Sequence, residues 1–383
     1  MNKRVGIERC SSYVPETVYA ALKRAVELAG DLDAAGKTVL LKPNIISDTP
    51  PEKAVTTHPV FLEAAIRLVR ERGASRILVG DSPGIQIPGF SGKVSGLGEA
   101  AKRNGAEWVD FTKEKIEIPC PMGKVMKKFT VTKAVEEADL IISLPKLKTH
   151  QLMNFTGAMK NTFGLIPSLA KTPFHGRFPA CGSFASMLVD LNLAVKPGYA
   201  LMDAVIGMEG PGPSAGKPRH IGLVLASSNL LALDVAASVI IAYPPEELPL
   251  NREALNRGYW LSDFREIEYP GLSPDDVRIP DFVKVSIKRS GSRFLNFLLP
   301  GPVKRLIDTR STGPEIDHSI CIRCGDCMRI CDSRAISTEN KKQNGASRRR
   351  MIIDYSRCIR CYCCHEICPA KAIDVKKKPQ NRI

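Results

Sequence analysis

Short apolar runs bounded by polar residues or chain breakers recur along the first 230 residues: TVLLKP (38–43), RILVGD (76–81), DLIISLP (139–145), YALMDAVIG (199–207) and IGLVLAS (221–227). Each has a strand's length and a strand's weight of β-branched residues. Between them lie stretches whose apolar positions repeat at helical spacing. VFLEAAIRLVRERG (60–73), with Gly73 placed to end it, and LALDVAASVIIAY (231–243) are the clearest. Alternating strands and helices predict an α/β fold, a largely parallel sheet with helices on its faces. Ligands of such sheets bind beyond the carboxyl ends of the strands.

Polar residues collect at those ends. Lys42 and Asn44 follow the first run, with Thr57-His58-Pro59 further on; Asp81-Ser82-Pro83-Gly84 follows the second. LPKLKTH (144–150) follows DLIIS of the third, and Asp203 follows YALM of the fourth, with the loop GMEGPGPSAGK (207–217) after it. Four strands ending this way predict one shared crevice. If LPKLKTH is extended, Lys146, Lys148 and His150 project together, because alternate strand residues share a face. Such a row of cations is repulsive unless a phosphate or carboxylate lies among them; the alternative is an exposed lysine-rich edge strand. TGAMKNTFG (156–164) adds Lys160 and Asn161, with Gly164 as a cap. The predicted substrate-binding residues are therefore Lys42, Asn44, His58, Lys146, Lys148, Lys160, Asn161 and Glu209. Asp81, Asp203 and His150 are the candidates for proton handling, His175 another histidine to weigh. The glycine-rich loop is neither a phosphate-binding P-loop nor a dinucleotide fingerprint, since Gly212 and Gly216-Lys217 are too close and Pro211 and Pro213 interrupt it. No flavin or nicotinamide motif is present elsewhere. The loop is expected to be rigid and to lie over the crevice.

Nine of the twelve cysteines fall between Cys321 and Cys368, in a repeat. Cys321-x2-Cys324-x2-Cys327-x3-Cys331 is matched by Cys358-x2-Cys361-x2-Cys364-x3-Cys368. Triplets with a displaced fourth thiol are the spacing of bacterial two-cluster ferredoxins, in which the fourth cysteine ligates the other cluster. Zinc sites use pairs of pairs. The expected ligand sets for two [4Fe–4S] clusters are Cys321, Cys324, Cys327 and Cys368, and Cys358, Cys361, Cys364 and Cys331. Cys363 is expected to be a small buried residue. Residues 317–376 thus resemble the two-cluster ferredoxins, a small α+β module, with one departure. Pro369 follows Cys368, but Asp332 follows Cys331, which is expected to loosen or re-aim that ligand. Asn344-Gly345 predicts a hairpin turn between the repeats.

LLKPN (40–44), TTHP (56–59), VGDSPG (79–84), LPKLKTH, TGAMKNTFG and MEGPGP (208–213), in this order, resemble domain-of-unknown-function family 362 over residues 38–240. The resemblance implies a module repeatedly joined to iron–sulfur centres and nothing more definite about substrate. The expected organisation is an α/β domain (1–287), a linker (288–316), the ferredoxin-type domain (317–376) and a basic tail (377–383).

Charge narrows this picture only slightly. Lys and Arg number 55 against 40 Asp and Glu, a formal +15. Nucleic acid is a poor explanation, because aromatic residues are only 6% and no nucleic-acid module is recognisable. A small anionic substrate and an acidic electron-transfer protein partner suit it better. No run is long enough to span a bilayer and the N-terminus lacks an apolar leader, so a cytoplasmic protein is expected. FLNFLL (294–299) offers at most a shallow peripheral membrane contact. The expected function is a redox enzyme passing electrons between the clusters and the small anion; the alternative is an electron-transfer adaptor that docks a protein through its α/β domain.

Overall fold

The computed structural model describes residues 2–30, 32–84, 92–285, 312–343 and 346–377. The segment 294–299, most of the linker, the Asn344-Gly345 turn and the end of the basic tail lie outside them.

One sheet of nine strands organises the α/β unit. Its members are β1 (Gly6–Arg9), β2 (Thr38–Pro43), β3 (Arg76–Val79) and β4 (Glu107–Trp108). After a separate antiparallel pair, β5 (Lys115–Pro119) and β6 (Lys128–Thr132), come β7 (Leu140–Leu144), β8 (Lys146–His150), β9 (Asn154–Thr156), β10 (Tyr199–Glu209) and β11 (Lys217–Ser227). The order is β1-β11-β10-β7-β2-β3-β4. From β10 to β4 every pairing is parallel, while β11 and β1 close one side antiparallel.

Strand periodicity divides the core into two layers. Val39 and Leu41 pack with α1 (Pro15–Ala29), α2 (Pro59–Glu71) and α3 (Leu97–Arg103), whereas Leu40 between them faces the opposite cluster. That second layer is built by α4 (Ala134–Glu137), α5 (Ala158–Asn161), α6 (Thr172–Arg177), α7 (Cys181–Val195), α8 (Leu230–Ile240) and α9 (Pro249–Arg257). In α2 the predicted stripe holds: Leu62, Ile66 and Val69 are fully buried, each contributing roughly 1.5–3 kcal/mol of burial. Pro59 opens the helix, His58 Nδ1 accepts the Val60 N–H at 3.2 Å, and Gly73 takes φ 83° just past its end. Helix α8 is apolar on nearly every side and is accordingly buried on nearly every side.

The stretch that positions the site is β7–Pro145–β8. Tyr199 and Ala200 of β10 pair with β7, and further along β10 pairs with β8, Asp203 opposite Lys146 and Met208 opposite Lys148. Every residue of β8 is buried. The exposed edge strand is therefore excluded, because β10 on one side and β9 on the other cover it.

In the C-terminal module β12 (Thr312–Ile316) pairs with β15 (Ile373–Lys377), and β13 (Ile336–Gln343) pairs with β14 (Ala346–Ile353), both antiparallel. Two one-turn helices, α10 (Asp326–Arg329) and α11 (Cys363–Ile367), complete it. The sequence repeat recurs in the backbone. Positive φ angles fall at matched positions: Arg323 and Arg360, Gly325 and Tyr362, Arg334 and Lys371.

Candidate functional site

At the carboxyl ends of β2 and β3, Lys42 Nζ lies 2.7 Å from Asp81 Oδ1, and both side chains are fully buried. Burial pushes the lysine's pKa down and the carboxylate opposes that shift. Asp81 also accepts the N–H groups of Ser82 and Ile45. Lys42 Nζ donates to Pro43 O at 2.8 Å and to Asn161 Oδ1 at 3.1 Å, and Asn44 Nδ2 reaches the same oxygen at 3.0 Å. Asn161 returns two bonds, from Nδ2 to Lys42 O and to Ser143 Oγ. Helix α5, which carries Lys160 and Asn161, is held from outside: the carboxylate of Asp234 on α8 accepts the N–H groups of Ala158 and Met159. Gly157 is required there, since a Cβ would stand 2.1 Å from Asp234 Oδ1. Gly164 is not a helix cap as expected. It lies in a 3-10 turn (Thr162–Leu165) pressed against the ion pair, where a Cβ would stand 1.9 Å from Asp81 Oδ1.

Above this pair opens a cavity. Lys42, Asn44, Asp81, Lys148, His150, Lys160 and Asn161 line it, together with Ser82, Thr156, Lys171, His175 and Glu366. Four lysines face two carboxylates. Lys148 Nζ donates to Val55 O, and burial, then the neighbouring Lys160, holds its pKa well below the usual lysine value. Lys160 has no ion-pair partner within the described residues, and burial lowers it too. Lys171 donates to Ser82 O and is lowered to about 7 by burial. His150 Nδ1 accepts from Leu152 N at 3.1 Å and Met153 N at 3.3 Å. Its Nε2 is therefore the protonated nitrogen of the neutral ring, and it lies 3.2 Å from Glu366 Oε1. Burial lowers His150 far below the usual histidine value and His175 to about 3, so both rings are neutral. A set of buried donors with surplus positive charge stabilises an anion and little else.

Four predicted residues lie elsewhere. Lys146, expected to point with Lys148 and His150, instead pairs with Asp203 at 2.9 Å and with Tyr13 Oη at 2.6 Å. Asp203 accepts from Tyr13 Oη at 2.7 Å and from the His58 N–H at 2.9 Å, and it does not line the cavity. The β10 partners of Lys146 and Lys148 stand five positions apart where a regular ladder has two, and this register shift divides the two lysines. His58 stacks on Tyr13, ring centroids 3.6 Å apart, and burial lowers it to about 4. It caps α2 rather than facing the cavity. Glu209 is likewise outside, accepting from Val283 N at 3.0 Å. The Lys146–Asp203 pair locks β8 against β10, and these residues position the cavity wall without forming it.

The iron–sulfur module closes the cavity. Glu366, on α11, forms part of the wall. Ser214 Oγ donates to Glu366 O at 2.8 Å, and His365 Nε2 lies 3.1 Å from Pro211 O. The glycine- and proline-rich loop thus meets the module, and its strand flanks continue as the β10–β11 hairpin. A second cavity adjoins the first, shares Lys171, His175 and Glu366 with it, and reaches Ile330 and Cys363. Cys363 is buried, as expected.

Cys321, Cys324, Cys327 and Cys368 line one hollow, while Cys364 neighbours Cys361, Cys358 and Cys331 and also Cys327. The displaced cysteines behave alike, Cys331 Sγ accepting Ala335 N and Cys368 Sγ accepting Ala372 N, each at 3.2 Å. The expected re-aiming of Cys331 is not seen. Asp332 in the proline's place instead packs on α6, so closely that a Cβ on Gly176 would stand 1.9 Å from its carboxylate. Thiols at this spacing, two of them accepting a backbone N–H, are chemically suited to hold [4Fe–4S] clusters.

Lys171, Glu366 and Thr156 escaped the sequence reading. Lys171 and Thr156 carry no motif of their own, and Glu366 is hidden among cluster cysteines. The signal for Glu366 was that it is the one acidic residue of the second cysteine run, Cys358–Cys368.

Fold and site define a two-module iron–sulfur protein, an α/β unit with a lysine-lined cavity covered by a ferredoxin-type module. The chain belongs to the family described as "Domain of unknown function (DUF362)", whose model matches residues 39–239, and a 4Fe-4S dicluster domain matches residues 320–372. It is 28% identical over 314 residues to a thylakoid-associated protein of Synechocystis sp., covering 77% of this chain and 97% of that one. Among solved structures it is similar to the lactate racemase apoprotein of Thermoanaerobacterium thermosaccharolyticum, with TM-score 0.40 and 14% identity over 61% of this chain and 57% of that one. A Thermotoga maritima protein gives TM-score 0.33 and 15% identity, over 60% of this chain and 59% of that one. The chain thus spans less than two thirds of either solved structure. No helix among the described residues is long and apolar enough to cross a membrane.

Proposed function

We propose that the protein is an iron–sulfur redox enzyme that passes electrons between two [4Fe–4S] clusters and a small anionic substrate in the lysine-lined cavity. The observation that carries this reading is Glu366. It stands in the cavity wall, two residues from Cys364 and two from Cys368, so cluster-binding backbone and substrate cavity share one short helix. When bound, the clusters supply one-electron chemistry. Lys148, Lys160 and Lys171 hold and orient the anion, Lys42–Asp81 fixes the floor, and His150 Nε2–H is the nearest neutral proton donor. Cys321, Cys324, Cys327 and Cys368 hold the outer cluster, since Cys324 is exposed. Cys358, Cys361, Cys364 and Cys331 hold the inner one, flanked by Cys363 and Ile330 at the adjoining cavity. An electron-transfer protein then docks at the outer cluster. Reduced thiols of this kind favour a cytoplasmic location.

The test is anaerobic. The reconstituted protein is reduced, freed of reductant and mixed with fractionated small metabolites while cluster absorbance is followed. Reoxidation by an anionic fraction that is lost in the Lys148→Ala/Lys160→Ala double variant is expected. Equal reoxidation of both proteins, or of neither, overturns the enzyme reading, and the second result favours the adaptor.

A further inference from the structure

The lysines account for negative charge in a ligand, but not for the other unpaired groups of the cavity. Asn44 Oδ1 is buried and has no hydrogen-bond partner among the described residues. Its identity as the oxygen follows from its neighbours. Asn161 Oδ1 is fixed as an acceptor by Lys42 Nζ, so Asn44 must present Nδ2 to it, and Oδ1 is left over. A carboxamide oxygen only accepts. Lys42 is already engaged by Asp81, Pro43 O and Asn161, and Lys148 by Val55 O. Thr156 Oγ1 and His175 Nδ1, in residues more than nine-tenths buried, line the same cavity and are also unpartnered. Each of these two either donates or accepts.

A bare carboxylate or phosphate carries acceptors alone and would leave Asn44 Oδ1 unpaired. An ammonium group would satisfy it but would stand among like charges. We propose that the ligand of this cavity is a small dianion bearing a hydroxyl group. Its anionic groups lie on Lys148, Lys160 and Lys171, and its hydroxyl donates to Asn44 Oδ1 and accepts from Thr156 or His175. With all four lysines protonated, the state that a bound anion favours, two negative charges match their excess over Asp81 and Glu366. The inference rests on the cavity being the substrate site.

The experiment is calorimetric titration of the full-length, cluster-loaded protein with matched pairs that differ by a hydroxyl: malate against succinate, and glycerol 3-phosphate against propyl phosphate. The hydroxylated member of at least one pair is expected to bind tenfold or more tightly than its partner, and Asn44→Leu to erase that advantage. Both pairs binding with equal affinity within each pair would overturn the hydroxyl and leave the anion site standing. No binding by any of the four would overturn the anion site and this inference with it. The comparison within wild-type protein keeps the test valid if Asn44→Leu does not fold.

Discussion

Asp81→Asn tests whether the floor of the cavity is a dry ion pair. At 2.7 Å the Coulomb attraction is about 6 kcal/mol with an effective dielectric constant of 20. Most of it offsets the desolvation of two groups that are almost wholly removed from water. Removing one partner leaves Lys42 uncompensated, at a cost of about 3–5 kcal/mol. The amide adds a second fault, because one oxygen cannot replace the two that accept the Ile45 and Ser82 N–H groups. The chain has two tryptophans, Trp108 and Trp260, both in the α/β unit, so urea unfolding followed by their fluorescence reports that unit alone. The expectation is a loss of at least about 3 kcal/mol for Asp81→Asn, a similar loss for Lys42→Met, and a double variant less damaged than their sum. A loss below about 1 kcal/mol with additive singles would mean that water reaches the pair, and the argument for a preorganised anion site would fail.

Gly164→Ala should destabilise by at least about 2 kcal/mol, because the added methyl overlaps Asp81 Oδ1, and an unchanged urea midpoint would refute this. Lys171, faced by Asp81, Lys42 and Lys160, titrates at about 7. It is cationic below that pH, so affinity for malate should fall roughly tenfold as pH rises from about 6 to about 8, and Lys171→Met should remove this step. Its effect on stability has the opposite sign: the unfolded chain binds the extra proton between about 7 and the ordinary 10.5, so the native state gains as pH rises through that window. Cys363→Ala should keep its full iron content, whereas Cys364→Ala should lose about four irons per chain; equal iron in the two variants would overturn the ligand assignment.

Much of the architecture follows from local pattern. Alternate burial along β2 and the stripe on α2 are properties of short segments, and a period of two or of 3.6 places them on a sheet or against one. The cysteine repeat is equally local, since the first three cysteines of each run lie within seven residues, and the matched φ angles of the two halves repeat it in the backbone. Lys42, Asn44, Asp81, Lys148, His150, Lys160 and Asn161 were legible for a related reason: chain ends of parallel strands converge whatever the details of packing.

Only the tertiary structure separated Lys146 from Lys148. Two residues apart in an extended strand, they are alike to any local pattern, yet a register shift against β10 gives one to Asp203 and the other to the cavity. The same holds for Glu366, about two hundred residues from Lys160 in the chain. Whether a buried lysine is a structural ion pair or an unpaired cation awaiting a ligand depends on which distant carboxylate reaches it, because in a medium of low polarity charges interact strongly only across a few ångströms. Composition and spacing determined that the chain carries clusters and cations; packing alone decided which cations meet.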